Sequence, residues 1–332
     1  MDQDYKDLWW EIVPTAVQQV QKTKEILQHG KSVAFDSGFG TWTESFINAV
    51  ISAYQGENYY AGFDTLDLSE IEDYWTITDA IADRLGIGYM TQRKISELLP
   101  ELPSDGYIWI LENVSKKREE ELEKLIKHVK ENHAPLMFLF RKTGFSKVKG
   151  FENLNISPTR LDLSYFAWTL LLGRFDNNLI EYGAELAVEL SGEQPEECAR
   201  ICQHMMACVQ DPVAFCSEME ETKVIPMVHR AQVRIIEPLI EYGRVFLIER
   251  LGEKVTALLP FTDEYDNEFT KPVEVELRNL VHFYNQSKLT MDPSTYSLMD
   301  MLYRARNKVS HLELLTFEEV QQIIKESDKW KN

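Results

Sequence analysis

An α/β domain built on a parallel sheet and followed by an all-α bundle is the architecture that this 332-residue sequence predicts. Three observations point to it. Through the first two thirds of the chain, short apolar runs alternate with amphipathic stretches, the pattern of strands joined by crossover helices. Beyond Ile225 the strand pattern gives way to apolar residues at helical spacing. A hydrophobic content of 44% over 332 residues allows a sizeable core, and the length favours two domains.

The elements follow in order. Thr15 to Gln28 reads as an amphipathic helix, and Ser32-Val33-Ala34-Phe35 as a buried strand. Asp36 to Thr43 holds Gly38 and Gly40 and reads as a loop, and Glu44 to Tyr54 as the helix that leaves it. Tyr59-Tyr60-Ala61-Gly62-Phe63 reads as a second strand, followed by a helix through Ala80, Ile81 and Leu85. Tyr107 to Asn113 reads as a buried strand ending in the carboxylate of Glu112. A charged helix, Lys116 to Asn132, leads to the apolar strand Leu136 to Arg141, and Leu179 to Met219 reads as a short helical segment. A break near Glu221 to Pro226 separates this part from the rest, in which Gln232 to Arg250 reads as a helix. Thr316-Phe317-Glu318-Glu319 has the form of a capping box that opens a last helix from Glu319 to about Lys329, with Leu312 to Leu315 as connector.

Strand, glycine-containing loop and helix, with a later strand ending in an acid, resemble the P-loop NTPase fold of the AAA+/STAND type. The resemblance implies residues 1–173 as the α/β domain and 174–224 as a helical lid. A working loop follows G-x4-G-K-[ST]: its amides cradle phosphates, its Lys reaches the β/γ-phosphates and its hydroxyl holds magnesium. Here the loop is degenerate. Asp36 stands for the first Gly, Thr41 for the second and Trp42 for the Lys, and only Thr43 survives. Gly38, Gly40, Thr41, Thr43 and Glu112 are the residues the resemblance would assign to a nucleotide. Without the cation, ATP hydrolysis is not expected, no cofactor is required, and binding of ATP with magnesium is disfavoured. Arg141 faces either a phosphate or another subunit, or is a structural surface residue, and Trp9, Trp10 and Trp42 are candidates for an exposed aromatic interface.

Near the C-terminus Arg306-Asn307-Lys308-Val309-Ser310-His311 places an Arg and a His five positions apart. The stretch resembles the R-x4-H signature of HEPN domains, which include metal-independent ribonucleases, and residues 225–332 are similar to C-terminal HEPN-like bundles attached to NTPase modules. The resemblance implies His311 as general acid or base, Arg306 as the cation beside the phosphate and Asn307 as the group that orients one of them. It also implies a homodimer through this bundle.

Charge bears on the partners. The net charge is −19; from Ile225 onward 14 Lys and Arg stand against 17 Asp and Glu, a balance of −3, which leaves −16 for the N-terminal portion. Nonspecific binding to DNA is therefore not expected, and RNA would need a local basic groove or a basic partner. Cys198, Cys202, Cys208 and Cys216 read as reduced packing thiols in preference to a zinc site, so no metal is expected. No apolar run approaches the roughly 20 residues of a membrane span, and a cytoplasmic protein is expected. Two functions remain open. One is a HEPN-type ribonuclease or RNA-processing effector, in a phage-defence setting, regulated by the degenerate module. The other is a non-catalytic STAND-like adaptor or regulatory subunit that forms hetero-complexes with other proteins.

Overall fold

The computed structural model describes residues 5–72, 74–87, 94–98, 100, 102, 106–142 and 147–330. The chain divides into two compact units, residues 1–166 with 194–196 and residues 167–193 with 197–332.

The first unit holds α1 (Tyr5–Ile12), α2 (Pro14–Gln28), β1 (Val33–Ser37), α3 (Thr43–Gln55), β2 (Gly62–Asp67), α4 (Ile77–Arg84), β3 (Tyr107–Glu112), α5 (Lys116–Glu131), β4 (Leu136–Arg141) and β5 (Glu152–Ile156). The five strands form one sheet in the order β2-β3-β4-β1-β5, and each of the recorded pairings in it is parallel. The inner strands β3, β4 and β1 are near-continuous apolar runs because helices cover both faces of such a sheet. Trp109, Phe138, Leu139, Phe140 and Phe35 are fully buried there. Full burial of side chains of this size contributes roughly 1.5–3 kcal/mol each.

The edges correct the sequence reading. The second strand is Gly62–Asp67, displaced toward the acidic residues, and Tyr59 and Tyr60 lie in the exposed turn before it. A side chain at Gly62 would collide with the Tyr107 ring, 2.5 Å from an added Cβ, so glycine allows β2 to reach β3 at this register. The other edge, β5, has the polar sequence Glu-Asn-Leu-Asn-Ile and carries no period-2 signal. Edge strands are buried less completely and tolerate such sequences.

The division between the units falls within α6 (Arg160–Leu171), after Phe166. The second unit is mainly helical: α7 (Ile180–Leu190), α8 (Pro195–Gln203), α9 (Met205–Gln210), α10 (Pro212–Phe215), α11 (Glu221–Leu251) and α12 (Glu253–Thr256) precede a hairpin of β6 (Phe261–Thr262) and β7 (Glu268–Phe269). After it come α13 (Leu277–Asn285), α14 (Pro293–Ser310) and α15 (Phe317–Ser327). Residues 174–224 and 225–332 share this unit, apart from 194–196.

The 31-residue α11 is its axis and packs against α7, α14 and α15. It begins at Glu221, well before the expected Gln232, and runs through Pro226 and Pro238. A proline inside a helix removes one backbone bond, and here the buried face carrying Val224, Val228, Ile236, Leu239 and Leu247 holds the helix together despite it. Arg230 and Arg234 on α11 pair with Glu189 on α7. The capping box at Thr316 is present, with the Glu319 N–H donating to the Thr316 hydroxyl, and the last helix starts at Phe317.

Candidate functional site

Two places gather the residues singled out by sequence. The first is the loop between β1 and α3. Between β1 and β4 the chain leaves in opposite directions, to β2 on one side and to β5 on the other. Ligands of open parallel sheets bind outside the carboxyl ends of strands at such a switch point. A cavity of about 870 Å³ lies there, with Asp36, Thr43, Glu112, Asn113, Arg141 and Lys142 in its lining.

The loop is short and several of its donors are engaged internally. The Gly38 N–H donates to the Ile156 carbonyl (3.3 Å), the Trp42 N–H to the Phe39 carbonyl (3.0 Å), and the Thr43 N–H to the Gly40 carbonyl. The Phe39 N–H donates to the Ser37 hydroxyl (3.2 Å), which meets the Thr43 hydroxyl (3.0 Å), and that hydroxyl donates to the Gly40 carbonyl (2.9 Å). These are groups that would cradle and neutralise a phosphate in a working loop. Gly40 has φ of +55°, a left-handed conformation that glycine adopts freely. Gly38 sits where an added Cβ would lie 3.0 Å from the Ser157 hydroxyl, and Thr41 lies in the 3₁₀ turn Gly40–Trp42.

Trp42, in the place of the lysine, turns into the core and is not among the cavity residues. Its ring meets Trp9 (6.3 Å) and Phe166 (6.0 Å) edge-on. Trp10 Nε1 donates to the Ser45 hydroxyl (2.8 Å), which donates to the Trp42 carbonyl (2.7 Å). The expected exposed aromatic interface is thus corrected: Trp9, Trp10 and Trp42 are all buried, because α1, which the sequence reading did not find, sets Trp9 against Trp42 and Trp10 against Phe39 and Phe46.

Glu112 is exposed at the end of β3, and Asn113 donates to Asp67 (2.8 Å). Arg141 Nη2 donates to the Ser37 carbonyl (3.2 Å), so this arginine braces the end of β1. Among the described residues, no group of three or more His, Cys, Asp or Glu has the arrangement of a metal site. The four cysteines are free and buried, and burial pushes the Cys208 thiol well up.

The second place is the C-terminal end of α14. His311 is the C-cap; its N–H donates to the Asn307 and Lys308 carbonyls, both at 3.1 Å. The Glu313 N–H donates back to the Lys308 carbonyl (3.0 Å), and Leu312 takes φ of +59°. This is the Schellman arrangement, with leucine where glycine is usual. Arg306 and His311 are exposed and Asn307 is half-buried, and among the described residues no hydrogen bond or ion pair joins or holds their side chains. Lys308 is engaged by Glu319 (2.7 Å).

Two residues of α11 that sequence reasoning missed hold this end in place. His229 Nε2 lies 2.7 Å from the Val309 carbonyl, and since a carbonyl only accepts, that nitrogen carries the proton. The Gln232 amide donates to the Leu315 carbonyl and accepts from the Leu315 N–H, both at 2.9 Å. Its nitrogen also approaches the Tyr182 hydroxyl (3.4 Å), whose pKa burial pushes up to about 12. The available signal was a His and a Gln three apart on an otherwise apolar helix face.

No family model matches this chain, and no curated protein matches it. Among solved structures it is similar to the Aeropyrum pernix ORC1 protein in complex with DNA, with 13% identity and a TM-score of 0.39 over 97% of this chain and 87% of that one. A likeness of this size carries no argument about function. The fold itself is α/β with a five-stranded parallel sheet and a strand-loop-helix order of P-loop type, and no helix among the described residues is long and apolar enough to cross a membrane.

Proposed function

We propose that this chain is a non-hydrolysing adaptor or regulatory protein, in which a P-loop-type α/β module serves as a scaffold and the helical unit as an assembly surface for partner proteins. One observation carries the reading: Trp42 is locked into an aromatic core where a phosphate-binding lysine would stand, while the Gly38, Trp42 and Thr43 N–H groups beside it donate to the carbonyls of Ile156 on β5, Phe39 and Gly40. Phosphoryl transfer depends on cations and amides aimed at the phosphates. The test is ATP turnover and thermal stabilisation by Mg-ATP, measured on the purified chain. Neither is expected. Magnesium-dependent hydrolysis that disappears in Glu112→Gln would overturn the reading.

A second reading has its own support in the exposure of Arg306 and His311, whose side chains have no hydrogen bond or ion pair among the described residues. In it the helical unit is a HEPN-type, metal-independent ribonuclease, active as a homodimer and governed by the degenerate module in phage defence. His311 then moves the proton at the 2′-OH, Arg306 faces the phosphate and Asn307 orients one of them. Cleavage of total RNA without metal, lost in His311→Ala at matched oligomeric state, is the result this reading requires. Equal cleavage by both proteins, or none by either, refutes it.

A further inference from the structure

A second cavity, of about 450 Å³, opens in the helical unit between the β6–β7 hairpin, α13 and α14. It lies within the size range of small-molecule sites. One wall is built rigidly. Asp263 accepts from the Tyr265 and Asn267 N–H groups (2.9 Å each), from Asn267 Nδ2 (3.1 Å) and from Arg278 (2.6 Å). Those bonds fix the hairpin turn and set Arg278 5.1 Å over the Tyr265 ring, so the Arg278 charge is already compensated.

Asn279 accepts from the Glu276 N–H (3.0 Å), and three other polar side chains of the lining are not compensated among the described residues. His282 and Asn285, on one face of α13, and Tyr303, on α14, face the cavity, and no hydrogen bond to their side chains exists among the described residues. His282 lies against Phe261 (6.2 Å), and among the described residues the Tyr303 ring touches no other aromatic ring. This lining combines ring faces with an amide, an imidazole and a phenol, all able to donate or accept. An aliphatic ligand would leave those groups unpaired, and an isolated phosphate would meet Asp263 and Glu264. An uncharged planar heterocycle satisfies both demands, stacking on the rings and hydrogen-bonding at its edge. Arg306 follows Tyr303 by three positions on the same helix face, exposed and without an ion pair among the described residues, where it would meet a phosphate attached to such a base.

We propose that this cavity binds a nucleobase, carried either by a free nucleotide or by single-stranded RNA. The proposal goes beyond the adaptor reading and does not depend on ATP turnover or RNA cleavage. Its test uses the full chain in two arms: AMP and UMP by titration calorimetry, and fluorescein-labelled ten-nucleotide oligo(A) and oligo(U) RNA by anisotropy. Asn285→Ala and Tyr303→Leu are compared with Lys329→Ala as a distant control, each first shown to melt like the parent chain. Since base stacking is worth roughly 1–3 kcal/mol per base, Tyr303→Leu should weaken binding about fivefold or more, and the control should stay within twofold. His282→Ala, an exposed change, serves as the second variant if Tyr303→Leu melts early. Binding in the calorimetric arm alone identifies a free nucleotide as the source, and binding in the RNA arm alone identifies the polymer. Absence of binding in both arms at millimolar nucleotide and tens of micromolar RNA, or binding that all variants leave unchanged, overturns the proposal.

Discussion

Replacing Gln232 by Met tests how the end of α14 is held. Met keeps the length and most of the volume, so the change removes the amide with little effect on packing. Gln232 is 1% exposed and Leu315 is 5% exposed, and both main-chain groups of Leu315 bond to the Gln232 amide at 2.9 Å. Without it, a buried N–H and a buried C=O lose their partners, at about 1–3 kcal/mol for each. The gain from burying an apolar side chain offsets part of this, which leaves a net loss of about 2–4 kcal/mol. In a unit of this size each kcal/mol moves Tm by about 2–4 °C, so the transition of the helical unit should fall by about 5–15 °C. Differential scanning calorimetry reads it, and amide exchange at Leu315 should accelerate in parallel. Gln232→Glu adds a sign check. At neutral pH its carboxylate still accepts from the Leu315 N–H but repels the Leu315 carbonyl, whereas the protonated acid donates to that carbonyl, so this variant should regain Tm on acidification relative to Gln232→Met. A Tm for Gln232→Met within about 1 °C of the parent would refute the reasoning.

Three other perturbations follow from the same geometry. Trp42→Lys, which places a lysine where a working P-loop would carry one, should not produce ATPase activity and should destabilise the first unit by about 3–5 kcal/mol, because it empties an aromatic core position and buries an ammonium; chemical denaturation and a phosphate-release assay check the two halves. Leu312→Gly should stabilise the helical unit by about 0.5–1 kcal/mol, since glycine relieves the positive φ at the end of α14 at some cost in chain entropy; a fall in Tm would contradict the cap assignment. Asp292 is held below the usual carboxylate range by the Ser294 and Thr295 hydroxyls and the Thr295 N–H, and Glu274 by the Thr270 and Lys271 N–H groups. A lowered folded-state pKa gives stability that is complete above about pH 5.5, is lost progressively as pH falls below the unfolded-state value and is gone below the lowered one, so Tm should hold to about pH 5.5 and then drop, less steeply in Asp292→Asn.

Local signals were enough for the inner strands, whose apolar runs are long, and for the last helix, whose Thr316 and Glu319 act on each other three residues apart. The identities of Asp36, Thr41 and Trp42 set the expectation of a degenerate loop, because phosphate binding needs particular side chains at particular offsets. The edge strand β5, the helix α1 and the full length of α11 were not legible. Each is stabilised mainly by what it packs against: β5 by pairing with β1, α1 by Trp9 meeting Trp42 and Trp10 meeting Phe39 and Phe46, and α11 by neighbours that sustain it through Pro226 and Pro238. The placement of Trp42 inside the core and the anchoring of the Arg306–His311 turn by His229 and Gln232 were decided by tertiary structure alone. Those contacts join residues 33 and about 80 positions apart, and a hydrogen bond or ring contact over such a separation leaves no periodic mark in the chain; only folding brings its two ends together.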